Sequence, residues 1–241
     1  MSAIRRPLLA APLALLLSLS GCVSMVFSAP ATTYVDEGGE TVRLNWREFP
    51  GHGTTDPQAV LDGPTVETGE ARSELLLAEA RAALSERFGG DWTLEAHGGE
   101  PSEWHATSNG YGGDSLLYTF NSPSSELEVR VPRDEWPEVI AIVEGVVVSQ
   151  GLTERSDADL DPPYDATHRS TTFSHGGEFL DVTVSDSTLD AAALAETEKC
   201  GGPVAGISLF YGVSAIHEAD RAEFERRVQP FLGQAHPSIT D

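Results

Sequence analysis

Apolar residues recur every three or four positions in two long stretches of the chain, which is the spacing of an amphipathic helix. The first stretch, about residues 71–88, ends at Gly89–Gly90, and the second, about 134–150, ends at Gly151. Glycine after a periodic run is typical of a helix C-terminus. In the first stretch the recurring apolar residues are Leu77, Ala80, Leu84 and Phe88. The pattern therefore predicts two helices that each bury one face.

Shorter segments alternate apolar and polar residues or are rich in β-branched and aromatic residues, which favours strands. The predicted strands are 41–49, 92–96, 115–120, 126–131, 167–175, 178–184 and 205–216. We expect a hairpin from 115–120 with 126–131, and another from 167–175 with 178–184. Loops are expected where proline, glycine and polar residues cluster: 51–69, 97–114 and 153–163. Two short helices are expected at 187–199 and 218–228.

The order of these elements, a helix followed by strands and then again a helix followed by strands, predicts the fold class α+β. In its usual form such a fold has two layers, with helices packed on one face of a mainly antiparallel sheet. Residues 70–131 and 132–216 share this coarse order but no residue-level repeat. The globular part, 41–241, is therefore expected to be a single domain that contains two loosely similar halves.

The N-terminus carries a short positive segment, Arg5–Arg6, followed by a mostly apolar run, Leu8–Leu19. This run is shorter than the roughly 20 apolar residues that a membrane-spanning helix needs. Its length and its positive flank fit a signal peptide. The chain is therefore expected to be exported.

The end of this apolar run, with the residues Leu19, Ser20, Gly21 and Cys22, resembles the lipobox of bacterial lipoproteins. The resemblance implies that the Cys22 thiol carries a diacylglyceryl group and that residues 1–21 are removed. Two acyl chains suffice for stable anchoring. The resemblance therefore implies a protein held on the outer face of the bacterial cell membrane. An ordinary secretory signal, cleaved near Ala29, is the alternative.

The segment after the lipobox, residues 22–40, is rich in small residues and contains Gly38 and Gly39. Such a composition is typical of a flexible linker. We expect it to be a lipidated tether between the membrane and the globular domain.

The chain is strongly acidic, with 38 acidic and 15 basic residues and a net charge of −23. This charge argues against nucleic acid as a partner, because a nucleic-acid-binding surface needs basic residues to replace counterions. It also argues against adhesion of the protein surface to anionic lipid. Membrane contact is therefore expected through the lipid on Cys22.

The sharpest candidate for a ligand site is a series of closely spaced aspartates: Asp157, Asp159, Asp161 and Asp165. Calcium-binding loops begin in this way, because hard cations need several oxygen ligands. That loop family requires glycine at the sixth position and glutamate at the twelfth, where this chain has Pro162 and His168. The pattern leaves a metal loop and a solvated acidic loop open, and the two departures favour the solvated loop.

Other candidate chemistry is weaker. His97 and His105, with Glu103 nearby, lie in or beside one polar loop but lack the helical spacing of zinc ligands. The glycine-rich segment 110–114 precedes a strand and lacks the lysine of a phosphate-binding loop, so a flexible loop tip is expected. The sequence contains no nucleophile elbow and no S-x-x-K motif. No cofactor is expected, and an enzyme is disfavoured but not excluded.

Cys200 is the only cysteine besides Cys22. If Cys22 is acylated, Cys200 has no partner in the chain and is expected to be a free thiol. It is expected to be buried and inert, since free cysteine behaves as a small hydrophobe. An intermolecular disulfide is the alternative.

Residues 130–201 resemble LppA-like lipoproteins of actinobacteria. The resemblance rests on a helix around Glu135-Trp136-Pro137, the sequence Gly151-Leu152-Thr153, a polar hairpin and the late Cys200. This chain has no second cysteine to pair with the late one. Because no activity is established for that family, the resemblance implies location and fold only.

Three functions fit these observations. The first is an envelope binding protein for a protein partner or for a small apolar or cationic ligand, which predicts a concave apolar pocket. The second is a metal-assisted hydrolase, which predicts converging side chains from the histidine loop or the aspartate loop. The third is a structural or assembly lipoprotein, which predicts an exposed apolar patch.

Overall fold

The computed structural model describes residues 29–53, 55–95, 103–162 and 164–238. Near the N-terminus two strands, β1 (Ala31–Val35) and β2 (Thr41–Asn45), pair antiparallel as a separate small sheet. The main sheet has eight strands: β3 (Trp92–Glu95), β4 (His105–Ser108), β5 (Asp114–Asn121), β6 (Ser124–Leu127), β7 (Glu154–Asp157), β8 (His168–His175), β9 (Glu178–Asp186) and β10 (Ala205–Ala215).

The strand order of the main sheet is β3-β6-β10-β9-β8-β7. Strand β5 also pairs with β10, and β4 pairs with β5. All of these pairings are antiparallel. The last strand of the chain, β10, therefore holds strands of both predicted halves in one sheet, and the predicted hairpin of β8 and β9 is confirmed.

The helices are α1 (Pro57–Asp62), α2 (Val66–Phe88), α3 (Trp136–Ser149), α4 (Tyr164–Thr167), α5 (Ala191–Cys200) and α6 (Arg221–Val228). Helices α2 and α3 contact each other and lie on one face of the sheet. Alternate residues of β9 show the two faces: Leu180, Val182 and Val184 are fully buried beneath the helices, and the residues between them are only half-buried. The predicted α+β class, with two layers and a mainly antiparallel sheet, is confirmed.

The predicted hairpin of 115–120 with 126–131 is wrong. Strands β5 and β6 run in the same direction along the same side of β10, as one long strand with an interruption. Ser122 and Pro123 lie at the interruption and resemble a turn in sequence, but the chain does not reverse there. Ser122 stays bound to β10, since its N–H donates to the Tyr211 carbonyl at 2.9 Å and its hydroxyl accepts from the Tyr211 N–H at 3.0 Å.

The predicted tether is also too long, because β1 lies inside residues 22–40. The segment Ala31–Val35 pairs residue by residue with β2. Trp46 fixes this small sheet to the body of the domain: its ring is fully buried, and its indole N–H donates to Thr32 Oγ1 at 2.8 Å. The glycines at 38 and 39 lie at the turn between the two strands, where Gly39 has a φ of 82°. Residues 22–28 lie outside the described residues.

Three predicted loops contain regular structure. Residues 51–69 include α1 and the first turn of α2. Helix α1 begins there because the Asp56 side chain caps it, accepting a hydrogen bond from the Gln58 N–H at 2.9 Å. The predicted loop 97–114 contains β4, and 153–163 contains β7. Both strands lie at sheet edges and are polar, so hydrophobic alternation did not reveal them. Within the described ranges no helix has the length and apolar character needed to cross a membrane.

Candidate functional site

A groove of about 550 Å³ lies between α2 and one edge of the sheet. Its floor and walls are mainly apolar and its rim is charged. The lining residues are Glu70, Ser73, Glu74, Leu77, Ala78, Arg81, Leu94, Phe120, Ser122, Pro123 and Ser125. The volume lies within the roughly 300–1,000 Å³ of small-molecule sites.

The helix side of the groove is one continuous stripe of α2. Its six lining residues, from Glu70 to Arg81, lie at positions i, i+3, i+4, i+7, i+8 and i+11, so they share a face. Leu77 is buried at the base of this stripe, whereas Ala78 is exposed. The small side chain at Ala78 leaves the middle of the groove open.

The sheet side is shaped by the interruption between β5 and β6. Asn121 pairs with Gly212 and Ser125 pairs with Leu209, so residues 122–124 face only residues 210 and 211 of β10. This extra residue is a β-bulge, which bends a strand and ends regular pairing. Pro123 has no N–H to give to a neighbouring strand. The outer neighbour also changes here, from β4 beside β5 to β3 beside β6.

The two ends of the groove differ. At one end Leu94 of β3 is 61% exposed, although Trp92 two residues earlier is held against α2 by a 2.8 Å hydrogen bond from its indole N–H to Ser85 Oγ. At the other end Phe120 is buried and its ring centroid lies 5.3 Å from that of Trp104. Trp104 packs so closely on α2 that a Cβ on Gly69 would lie 2.9 Å from its ring.

Charges of both signs stand at the rim. Glu70 and Glu74 are one helical turn apart, and Arg81 lies further along the same stripe with its guanidinium 3.3 Å from Ser125 Oγ. The groove can therefore bury an apolar group and hold a polar one at its edge, which is the usual composition of a ligand site. The sequence pattern alone does not mark these residues as a site. A sequence signal for the groove does exist in α2. Glu70, Glu74, Ala78 and Arg81 follow one another at helical spacing, and this stripe is too polar to be part of the core.

The structure does not gather the four aspartates of the candidate loop around one point. Within the parts of the chain that the structure describes, no three His, Cys, Asp or Glu side chains are placed to hold a metal ion. Asp157 lies in β7, where it accepts a 2.8 Å hydrogen bond from Thr171 Oγ1 and pairs with Arg155 at 3.0 Å. These two partners hold the pKa of Asp157 below its ordinary value. Asp157, Asp159 and Asp165 line a separate cavity of about 390 Å³, and Asp161 does not.

The histidine candidates are also separated. His105 lies in β4 and is exposed, and His97 lies outside the described residues. His168, at the twelfth position of the supposed loop, begins β8, and its Nδ1 lies 2.9 Å from Thr167 Oγ1. Burial lowers the pKa of His168, which favours the neutral ring.

The expectation that Cys200 is buried is wrong, because its side chain is exposed. It ends α5, and its Sγ lies 3.7 Å from Glu196 Oε1. The helix turns its C-terminus to solvent, so the thiol has no apolar cavity to fill. The lipobox residues Leu19, Ser20, Gly21 and Cys22 lie outside the described residues.

The glycine-rich segment 110–114 is a packed junction rather than a flexible tip. Tyr111 is buried against Trp46, with ring centroids 5.3 Å apart. A Cβ on Gly113 would lie 2.0 Å from the Arg47 carbonyl oxygen, so only glycine fits there. Fully buried Asn109 binds both sides of the junction, which therefore belongs to the architecture of the domain and not to an open binding loop.

Neither a family model nor a curated protein sequence matches this chain. A solved structure with a similar course of the chain is that of the candidate lipoprotein LppA from Mycobacterium tuberculosis. The TM-score is 0.43 and the identity 8%, over 68% of this chain and 86% of that one. At this level the similarity assigns no function to the chain.

Proposed function

We propose that the chain is an exported lipoprotein, held on the outer face of a bacterial cell membrane by acyl chains on Cys22, whose domain binds a small, mainly apolar ligand. The groove between α2 and the β5–β6 bulge is the observation that carries the binding role. The lipobox resemblance of residues 19–22 carries the anchoring role. These two parts of the proposal can fail independently.

The distribution of apolar side chains favours binding over a structural role. The large exposed apolar side chains of the described residues are Val35, Leu75, Leu94, Val148, Tyr164, Leu189 and Leu232. They are distributed over different elements, whereas an assembly surface is expected to gather them in one patch. Leu94 is the member of this set that lines a cavity of mainly apolar character. A hydrolase has less support, since the histidine and aspartate candidates do not converge in the described residues.

The anchoring role is tested with two cysteine variants. Cys22→Ala is expected to release the protein from washed membranes into the soluble fraction. Cys200→Ala is the matched control, because it removes the other thiol and is expected to leave the protein with the membrane. If Cys22→Ala stays with the membrane, the acyl anchor is wrong, whatever the groove does.

The binding role is tested with the apolar fluorophore N-phenyl-1-naphthylamine, which brightens in apolar surroundings. Ala78→Trp places a bulky ring in the middle of the groove, and because Ala78 is exposed the change leaves the core intact. Ala141→Trp is the control, at an exposed alanine of α3 outside the groove. The wild type and Ala141→Trp are expected to bind the probe alike, and Ala78→Trp to lose binding at least about tenfold. Equal binding by all three proteins, with unchanged circular dichroism, would contradict the proposal.

A further inference from the structure

A second cavity, of about 390 Å³, lies on another part of the domain, away from the groove. It is formed where the chain enters α3, where β7 ends and where β8 begins. Arg133, Trp136, Asp159, Asp165 and Arg169 are among its lining residues. Its volume is near the lower limit of about 300 Å³ for small-molecule sites, so it fits a ligand smaller than a typical drug.

The cavity is lined by two arginines, Arg133 and Arg169, that form no ion pair within the described residues. The charge of Arg169 also acts on Asp157, since it helps to lower the pKa of that carboxyl group. The Arg133 guanidinium lies 5.7 Å from the ring centroid of Trp136, and Trp136 is fixed by a 3.0 Å hydrogen bond from its indole N–H to the Val131 carbonyl. Arg169 is half-buried in β8, opposite Val184 of β9. Within the described ranges neither guanidinium forms an ion pair, whereas nearby Arg155 pairs with both Glu144 and Asp157. In a chain with 38 acids and 15 bases, Arg133 is thus left for an external anion, and Arg169 can add a second guanidinium beside it.

The same cavity offers carboxylates that are also unpaired. Asp157 is already engaged by Arg155 and Thr171. Asp159 and Asp165 line the cavity, and in the part of the chain that the structure describes neither carboxylate is paired with a base. Unpaired charges of both signs therefore face one small volume, where they attract a molecule that carries both charges itself.

We propose that this cavity binds a small zwitterion, an amino acid or a short peptide with a free ammonium and a free carboxylate group. Arg133 and Arg169 receive the carboxylate, because guanidinium groups match its planar geometry. Asp159 and Asp165 receive the ammonium group. This site is independent of the apolar groove and of the acyl anchor.

The test is isothermal titration calorimetry with L-alanyl-L-alanine and two capped forms. N-acetylation removes the ammonium charge, and C-terminal amidation removes the carboxylate charge. The wild type is expected to bind the free dipeptide and to bind each capped form at least about tenfold more weakly. Arg169→Gln should weaken binding of the free dipeptide but not of the amide, and Asp159→Asn should weaken binding of the free dipeptide but not of the acetylated form.

Arg130→Gln is the matched control, since Arg130 pairs with Asp186 at 3.2 Å and does not line the cavity. It is expected to bind all three peptides as the wild type does. The proposal is overturned if the wild type gives no binding heat at about 10 mM free dipeptide. It is also overturned if the capped forms bind as well as the free form, or if Arg130→Gln changes binding as much as Arg169→Gln.

Discussion

Replacing Asn109 by alanine removes the side chain that joins the N-terminal segment to the glycine-rich loop. The amide nitrogen lies 3.1, 2.9 and 3.0 Å from the carbonyl oxygens of Trp46, Arg47 and Phe49. The amide oxygen accepts from the N–H groups of Tyr111 at 2.8 Å and Gly113 at 3.0 Å. The amide has two N–H bonds, so about four hydrogen bonds form at once. At about 1 kcal/mol net for each, Asn109→Ala should lower the free energy of unfolding by about 4 kcal/mol.

This loss is large beside the roughly 5–15 kcal/mol stability of a typical domain. Equilibrium unfolding in urea measures it, and tryptophan fluorescence follows the transition because Trp46 lies at the junction. Asn45→Ala is the matched control: Asn45 is exposed and accepts one hydrogen bond, from the Arg47 N–H at 3.1 Å, so about 1 kcal/mol is expected. If Asn109→Ala costs no more than Asn45→Ala, the junction is not a rigid part of the fold.

Two further predictions concern charges that connect α2 to the sheet and to the end of β10. Arg72 donates to buried Glu178 Oε1 at 2.5 Å and to the Gln150 carbonyl at 2.7 Å, and Tyr211 donates to the same Glu178 oxygen at 2.9 Å. Arg72→Met should therefore lower the free energy of unfolding by about 3–5 kcal/mol, because it leaves the Glu178 charge buried without a partner. The double variant Arg72→Met with Glu178→Gln should lose clearly less stability. Equal losses of the two variants in urea unfolding would contradict a buried ion pair. The pKa of Glu67 is lowered to about 2 by its hydrogen bonds from His217 and from the Glu218 N–H. A carboxyl group whose pKa is lower in the folded state stabilises the fold at pH values above its ordinary pKa of 4.5. This contribution to stability is lost as the pH falls towards 2. The difference in urea midpoint between the wild type and Glu67→Gln should therefore be present at about pH 6 and shrink at acid pH, and a difference that is constant with pH would refute the assignment.

The sequence predicts the parts of this fold that depend on local periodicity. Helices α2 and α3 and the hairpin of β8 and β9 have clear spacing of apolar residues, and each appears where the pattern places it. Strands β4 and β7 were missed because they are polar edge strands whose pairing depends on β5 and β8. The turn-like residues between β5 and β6 indicate a hairpin that does not form, for a similar reason. Tyr211 of a distant strand holds Ser122 in line, and local residues do not encode that contact.

In the candidate sites, too, local sequence shows which residues are close along the chain but not which of them meet in the fold. Aspartates close in sequence suggested a metal loop, but pairing of β7 with β8 binds Asp157 to Thr171 and Arg155 and leaves Asp161 outside the cavity. The groove depends on contacts between residues far apart in the chain. Arg81 and Ser125, which meet at its rim, are 44 positions apart. Its existence follows from the bulge and from the change of edge strand, and neither can be read from one segment alone.

The groove and its ligand are tested most directly by native mass spectrometry of the protein extracted gently from its own membrane. The account predicts the acylated chain together with an additional small apolar molecule, which is also present in Ala141→Trp and absent in Ala78→Trp. If the wild type carries only the acyl group on Cys22, or if Ala78→Trp keeps the additional mass, the groove is not the binding site.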